Sequence, residues 1–138
     1  MVHFATDGRP LPDPTPVTRP WFDAAAEGRF VLPKCPRDGW FFYPRARCPR
    51  CLRDDWTYEP ASGRGVVAAF TVDRVGHDPR LRAWIPYAVA IVELEEGPRL
   101  TARVVDCEVD DVAVGVPVEV AYETVDDVTL VHVRPTAG

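Results

Sequence analysis

The most informative stretch of this sequence is CPRDGWFFYPRARCPRC, residues 35–51. Its second half, Cys48-Pro-Arg-Cys51, is a metal knuckle, because two thiolates at this spacing in a tight turn can both reach one tetrahedral ion. Its first half, Cys35-Pro-Arg-Asp38, repeats the knuckle with a carboxylate in place of the second thiolate. The pattern C-x2-D-x9-C-x2-C predicts a structural zinc ribbon with the ligands Cys35, Asp38, Cys48 and Cys51.

The carboxylate leaves the metal site open to more than one interpretation. Aspartate binds zinc at about 2.0 to 2.2 Å against about 2.3 Å for a thiolate, so Asp38 can complete a four-coordinate site. It is the harder ligand, and we expect weaker affinity for soft metals and greater acid sensitivity. Alternatively, Asp38 accepts hydrogen bonds from the amides of its own turn, and zinc is held by three cysteines or is absent.

The other candidate ligands lie far from this motif. Cys107 belongs to an apolar stretch, which predicts a buried strand thiol. His3, His77 and His132 have no partner at ligand spacing, and we expect each of them on the surface or in a strand.

The N-terminal part predicts an arm followed by a helix. Residues 1–17 are rich in proline and show no periodicity, which predicts an extended arm. The next stretch, TRPWFDAAAEG, predicts a short helix in which Thr18 caps the first turn and Gly28 supplies the left-handed stop. A helix this short is unstable alone in water, so we expect Trp21 and Phe22 to dock it on its own domain or on a partner.

The C-terminal part predicts a barrel. Five valine-rich runs are separated by turn signals: GVVAAFTVDRV, PYAVAIVEL, RLTARVVD, VPVEVAYETV and VTLVHVRP. Five strands at short spacing favour a small closed or nearly closed barrel of OB-like topology. The sequence thus predicts a mainly β fold, with an arm and docking helix (1–28), a rubredoxin-like zinc ribbon (29–59) and an OB-fold barrel (60–138).

Charge is distributed unevenly over these parts. The net charge is −5, yet six arginines and one lysine face a single acid between Arg29 and Arg53. From residue 61 onward, seven arginines stand against thirteen acids. A basic island on an acidic protein suits phosphates or an acidic partner surface, and solvated arginines on a loop-rich module are the alternative.

Composition also bears on location. The sequence has no run of about 18 apolar residues, which predicts no membrane span, and its N-terminus lacks the basic start and apolar block of a secretory signal. We expect a cytoplasmic protein, in which four cysteines are ligands or buried thiols rather than disulfides.

The order of these motifs resembles a known family. A helix ending in EGRF, the knuckle pair around FFYPR, then SGRGVVAAFTV, PYAVAIVELEEGPRLTARVVD and a final valine-rich strand pair follow one another over residues 18–133. This order is similar to that of the zinc-ribbon-plus-OB-fold proteins of the domain-of-unknown-function thirty-five family. Members usually have a second cysteine where Asp38 stands, and some have degenerate sites.

The resemblance implies a non-catalytic accessory subunit of a thiolase-fold acyl-CoA enzyme. In archaea a relative bridges a thiolase and a hydroxymethylglutaryl-CoA synthase. In actinobacterial steroid side-chain degradation, such a domain joins a lipid-transfer-protein-like, thiolase-fold aldolase that cleaves a steroid acyl-CoA by a retro-aldol reaction. The arginine- and valine-rich composition with a single lysine favours the second setting.

The residues themselves agree with an accessory role. The chain has one lysine, no paired histidines and no G-x-S-x-G turn, so we expect no base or nucleophile for carbon–carbon cleavage. Arg45 and Arg47 follow an aromatic run that ends at Tyr43, and a guanidinium grips phosphate with paired hydrogen bonds. These three residues are our candidates for acyl-CoA or partner contact, unless the aromatic run only forms the ribbon's core and the arginines lie in water.

Two other functions fit parts of the sequence. A single-stranded nucleic-acid binder would use a basic groove and stacking aromatics, but a pI near 5.1 and the acidic barrel argue against it. A free-standing acyl-CoA binder would bind CoA without any partner.

Overall fold

The computed structural model describes residues 3–136 as a short hairpin, one α-helix, two 3-10 helices (Pro79–Trp84 and Val109–Asp111), a three-stranded ribbon and a closed five-stranded barrel. None of the helices in this range has the length and apolar character needed to cross a bilayer.

The N-terminal arm is not simply extended. Strands β1 (His3–Phe4) and β2 (Pro10–Leu11) pair antiparallel, and Ala5 and Leu11 are buried against Val125 and Val128 at one end of the barrel. Arg9 fixes this hairpin, because its guanidinium lies 3.0 Å from carboxylate oxygens of both Asp7 and Glu123. The arm therefore folds back onto the barrel.

Helix α1 spans Arg19–Ala26 and ends as predicted. Gly28 has φ +73°, and the amides of Gly28 and Arg29 donate to the carbonyls of Ala25 and Ala24, which is a Schellman end. Thr18 is the N-cap residue, but its hydroxyl accepts from the amide of Thr15 instead of capping the first turn.

The ribbon is a three-stranded antiparallel sheet in the order β4-β3-β5. Its strands are β3 (Val31–Cys35), β4 (Gly39–Trp40) and β5 (Thr57–Pro60). Of the aromatic run that ends at Tyr43, only Trp40 lies in β4. Phe41 instead turns inward beside Cys35 and Cys48, and its ring meets that of Trp56 edge-on at 5.4 Å.

Five strands form the barrel, and all five occupy the predicted runs. They are β6 (Arg64–Asp73), β7 (Tyr87–Leu94), β8 (Arg99–Val104), β9 (Pro117–Val125) and β10 (Val128–Pro135). Neighbouring strands pair antiparallel except β8 and β10, which close the barrel in parallel. The closed order β6-β7-β8-β10-β9 is the OB-like topology that the spacing predicted.

The ribbon and the barrel share one hydrophobic core. Phe30 and Leu32 of the ribbon lie in the same buried cluster as Val67, Val92 and Val118 of the barrel. The units 1–28, 29–59 and 60–138 remain a prediction about the organisation of the sequence, and the shared core means that the last two pack as one body.

Candidate metal centre and adjoining groove

Two similar turns hold the candidate ligands. In the first, β3 ends at Cys35 and the chain reverses into β4, with Gly39 at φ +84° directly after Asp38. In the second, Leu52 follows Cys51 at φ +64°, an unusual conformation for a residue with a side chain. The left-handed residue therefore occupies the same place after the second ligand of each knuckle.

The four ligand atoms converge on one point. The Sγ of Cys35 lies 3.6 Å from the Sγ of Cys51, and a carboxylate oxygen of Asp38 lies 3.9 Å and 3.4 Å from the thiols of Cys35 and Cys48. All four ligand atoms lie within 4.8 Å of one another. A zinc tetrahedron with the bond lengths given above has S–S edges of about 3.8 Å and S–O edges of about 3.5 to 3.7 Å. The arrangement therefore fits zinc.

Hydrogen bonds and burial set the acidities within this cluster. Burial raises the pKa of the Cys35 thiol, but hydrogen bonds from the amides of Asp38 and Arg37 outweigh it, and the pKa lies below its ordinary value. A hydrogen bond between Cys51 and the carboxylate lowers the pKa of Asp38 and raises that of Cys51 to about 12. Metal binding would replace these thiol protons, since zinc takes the deprotonated ligands.

Asp38 uses its carboxylate in the cluster rather than in its own turn. Within residues 3–136, the hydrogen bonds to this carboxylate come from cysteine thiols, and its backbone amide points to Cys35. This geometry favours ligation over the alternative in which Asp38 accepts from the turn amides. Cys35 and Cys48 are each only 1% exposed, so the cluster is closed in the way a structural site is.

The remaining cysteine and histidine candidates lie elsewhere. Cys107 is half-buried in the bend after β8, so the prediction of a buried strand thiol was wrong. His132 lies in β10, where its Nε2 is 2.8 Å from Glu123. Because Glu123 also holds Arg9, this pair belongs to the attachment of the N-terminal hairpin.

The predicted contact arginines lie on the loop between the knuckles. Arg45 and Arg47 are exposed, and they donate to the backbone carbonyls of Tyr43 at 3.2 Å and Leu52 at 3.0 Å. The ring of Tyr43 is 52% exposed and stacks at 4.4 Å on that of Phe42. The loop thus presents two cations and an aromatic ring to solvent.

Trp21 and Phe22 are half-buried within the chain itself. They meet edge-on at 5.1 Å, and Trp21 also packs against Phe42 of the ribbon. With Tyr43 and with Arg103 of β8, they line an apolar cavity of about 370 Å³, which we call the helix–barrel groove.

Arg103 was not predicted as a functional residue. In the alternating run RLTARV it occupies an outward position, which predicts exposure to solvent. In the structure it is only partly exposed, and it lines one cavity together with residues of α1 and of the ribbon. The sequence contains no local signal that distinguishes Arg103 from Arg99 and Thr101, which occupy the other outward positions of β8.

Comparisons with known proteins match the same two structural units. Residues 22–57 match the family described as "ChsH2, rubredoxin-like zinc ribbon domain", and residues 58–123 match "ChsH2, C-terminal OB-fold domain". The chain therefore contains a zinc ribbon, and the cluster of Cys35, Asp38, Cys48 and Cys51 is a group that can hold its metal ion.

Individual relatives extend this match. A "DUF35 domain-containing scaffold protein" of Methanothermobacter thermautotrophicus is 35% identical over 113 residues, which are 80% of this chain and 84% of that protein. The "3-oxo-4,17-pregnadiene-20-carboxyl-CoA hydratase alpha subunit" of Mycobacterium tuberculosis is 36% identical over 76 residues, or 54% of this chain and 24% of that protein.

A solved structure, the "Ltp2-ChsH2(DUF35) aldolase", is similar over almost the whole chain. Its matching chain superimposes with a TM-score of 0.81 at 32% identity, covering 92% of this chain and 100% of that one. Ribbon, barrel and relatives agree, and the chain belongs to the DUF35 family of zinc-ribbon and OB-fold proteins.

Proposed function

We propose that this chain is a non-catalytic accessory subunit of a thiolase-fold acyl-CoA enzyme, and specifically of a steroid side-chain retro-aldolase. The observation that carries the proposal is the similarity to the whole matching chain of the Ltp2-ChsH2(DUF35) aldolase. The related alpha subunit named for a pregnadiene carboxyl-CoA supports the steroid acyl-CoA class.

The clusters of titratable groups support a structural rather than a catalytic role. Between residues 3 and 136, the Cys35–Cys51 cluster is suited to a structural metal, and the Arg9, Glu123 and His132 cluster attaches the hairpin. Retro-aldol cleavage requires a free general base and stabilisation of the enolate oxygen, and neither cluster offers a free base, because a metal would take the thiolates of the first and Glu123 of the second is held by Arg9 and His132. In this proposal the partner subunit supplies those groups.

The loop between the knuckles would contribute to acyl-CoA binding. The guanidinium groups of Arg45 and Arg47 lie on one exposed loop beside the ring of Tyr43, an arrangement suited to phosphate and to a stacked base. Changing both arginines to glutamine should raise the KM of the complex for acyl-CoA several-fold with little change in kcat. Arg29→Gln is the control, because Arg29 is an exposed member of the same basic island and pairs with Glu27. An unchanged KM would remove the two arginines from the substrate site.

Co-expression tests the proposal as a whole. The full chain is expressed with the thiolase-fold subunits encoded in its own genome, and retro-aldol cleavage of a β-hydroxy steroid acyl-CoA is measured for each subunit alone and for the pair. Stable co-elution, with activity only in the pair, would support the proposal. A fully active enzyme subunit that never co-elutes with this chain would refute it.

A second candidate is an accessory subunit of a thiolase and hydroxymethylglutaryl-CoA synthase assembly. The 35% identity to the archaeal scaffold protein favours it. In the same experiment, co-elution of two different acyl-CoA enzymes through this chain would identify that function.

A further inference from the structure

The helix–barrel groove is apolar except for a few donor groups. Trp21 and Phe22 form one wall, Phe42 and Tyr43 form a second, and β8 and β10 form the floor. A second cavity of about 160 Å³ adjoins it and shares Arg103, Leu130 and His132 with it. The two cavities therefore adjoin at Arg103, so one occupant can contact both of them.

Two buried donors in this groove have no acceptor. Within residues 3–136, the side-chain nitrogens buried without a hydrogen-bond partner are Nε1 of Trp21 and Nε of Arg103, and both residues line the groove. Native proteins satisfy almost all buried polar groups, so such atoms need an explanation. Two unpaired donors in one depression indicate that the missing acceptors belong to whatever occupies it.

Within residues 3–136, Arg103 forms no ion pair, whereas the other two basic residues of the lining, Arg9 and His132, are paired with Glu123. Among residues 3–136, the lining of the two cavities includes Arg103, Arg9 and His132 but no aspartate or glutamate. Glu123 is already occupied, because Arg9 and His132 both contact its carboxylate, at 3.0 and 2.8 Å. The guanidinium of Arg103 instead lies 6.0 Å from the ring centre of Tyr87. An occupant that matches this groove is apolar and carries a negative charge at one point.

We propose that the helix–barrel groove is the docking surface for a segment of the partner enzyme subunit that brings an aspartate or glutamate carboxylate to Arg103. Apolar side chains of that segment cover Trp21, Phe22 and Phe42, and a carbonyl oxygen accepts from the indole of Trp21. This inference rests on the proposed function, since it names the surface through which the accessory subunit would bind. An acyl chain would fill the apolar walls but supplies no carboxylate. The phosphates of CoA would meet only the guanidinium of Arg103, because that of Arg9 is already paired with Asp7 and Glu123.

The test compares two arginines on one strand. Arg103→Met removes the charge and keeps a long side chain, whereas Arg99→Met makes the same change at an exposed position four residues earlier in β8, where Arg99 is 3.9 Å from Glu93. The dissociation constant of the purified subunits is measured by calorimetry. We expect Arg103→Met to weaken the complex roughly 30-fold or more, because it leaves the partner's carboxylate buried without a cation. Arg99→Met should change the constant less than twofold, and Trp21→Phe, which removes the N–H, should weaken it several-fold.

The outcomes separate the docking surface from the proposed function. A wild-type complex that forms and is equally tight with Arg103→Met would overturn the groove as the interface and leave the accessory role standing. The absence of any complex with wild-type chain would overturn both. If the free chain self-associates, and Arg103→Met abolishes this association but leaves the enzyme complex unaffected, the groove is occupied by a second copy of the chain. If the free chain binds octanoyl-CoA, Arg103→Met abolishes this binding and the enzyme complex is unaffected, the helix–barrel groove is a ligand site and not the interface.

Hydrogen exchange gives an independent reading if Arg103→Met does not fold. In the wild-type complex, we expect amides of α1 and β8 to exchange more slowly than in the free chain. The amides of residues 64–66 and of residues 118 and 119, where β6 pairs with β9, should exchange at the same rate in both. Equal exchange of α1 and β8 in the free and bound chain would overturn the proposal.

Discussion

Replacing Asp38 tests whether a carboxylate completes the metal site. Its oxygen lies 3.4 Å from the Sγ of Cys48 and 3.9 Å from that of Cys35, close to the edges of a zinc tetrahedron. In Asp38→Ala a water molecule would have to take its place. In Asp38→Asn the shape is kept and the negative charge is lost, and in Asp38→Cys the site gains a fourth thiolate.

The expected magnitude follows from how four ligands share the binding energy. Structural zinc in small domains is bound with about 10 to 16 kcal/mol, so one of four ligands accounts for roughly a quarter of it. A quarter of that range corresponds to about a 100-fold to 1,000-fold change in the dissociation constant. We therefore expect Asp38→Ala to weaken zinc binding by about that factor. Asp38→Asn should weaken it less, and Asp38→Cys should strengthen it, since zinc prefers the softer thiolate.

The assay is elemental analysis of the purified chain followed by competition with a chelator of known affinity. Wild-type chain should contain about one zinc ion, with the affinity order Asp38→Cys, wild type, Asp38→Asn, Asp38→Ala. Full zinc content and unchanged affinity in Asp38→Ala would refute the reasoning, because three cysteines and water would then suffice. A wild-type chain that binds no zinc at neutral pH would refute the metal site altogether.

Two further predictions concern stability. Arg9 lowers the pKa of Glu123 to about 2 through their hydrogen bonds, so the pair should stabilise the fold above the unfolded value of 4.5, with this contribution lost as the pH falls towards 2. Because 41% of the Glu123 side chain is exposed, screening limits the effect, and Glu123→Gln should lower the free energy of unfolding at pH 7 by about 1 kcal/mol. The control is Glu108→Gln at an exposed position, and equal melting temperatures of Glu123→Gln and wild type at pH 7 would contradict the prediction. Val67→Ala should cost about 2 kcal/mol in denaturant titration, because Val67 is 1% exposed in the barrel core. Val66→Ala, on the opposite face and 41% exposed, should cost less than about 0.5 kcal/mol, and similar losses in both would contradict the assignment of faces.

The barrel and the knuckles could be predicted because their signals are local. In YAVAIVEL the residues alternate between buried and more exposed positions along β7, so the sequence indicates the length and the inner face of this strand. The knuckles depend on two short turns whose ligands are three residues apart. No local signal specifies that β8 and β10 meet in parallel, so this closure was implied only by the predicted OB-like topology.

The parts that sequence reasoning missed depend on distant contacts. Strands β1 and β2 are two residues each, and Pro10 begins the second, so no strand pattern was visible. The hairpin is held by Arg9 and Glu123, which are 114 residues apart in the chain. Arg103 looked exposed for the same reason, because the alternation within β8 contains no information about the residues of α1 and of the ribbon that line a cavity with it.

The position of the metal site explains how a small ribbon could organise a docking surface. Cys35 and Leu32 belong to the same strand, β3, so one end of that strand lies at the ligands and its middle lies in the barrel core. The loop between the two knuckles carries Phe42 and Tyr43, which form one wall of the helix–barrel groove. Since both ends of that loop are tied to the ligand cluster, a bound metal would restrict the conformations of the wall. A structural metal at this place would therefore help to shape the groove that binds the partner without contacting the partner itself. This is a physical reason for a four-ligand cluster in which one ligand, Asp38, is a carboxylate.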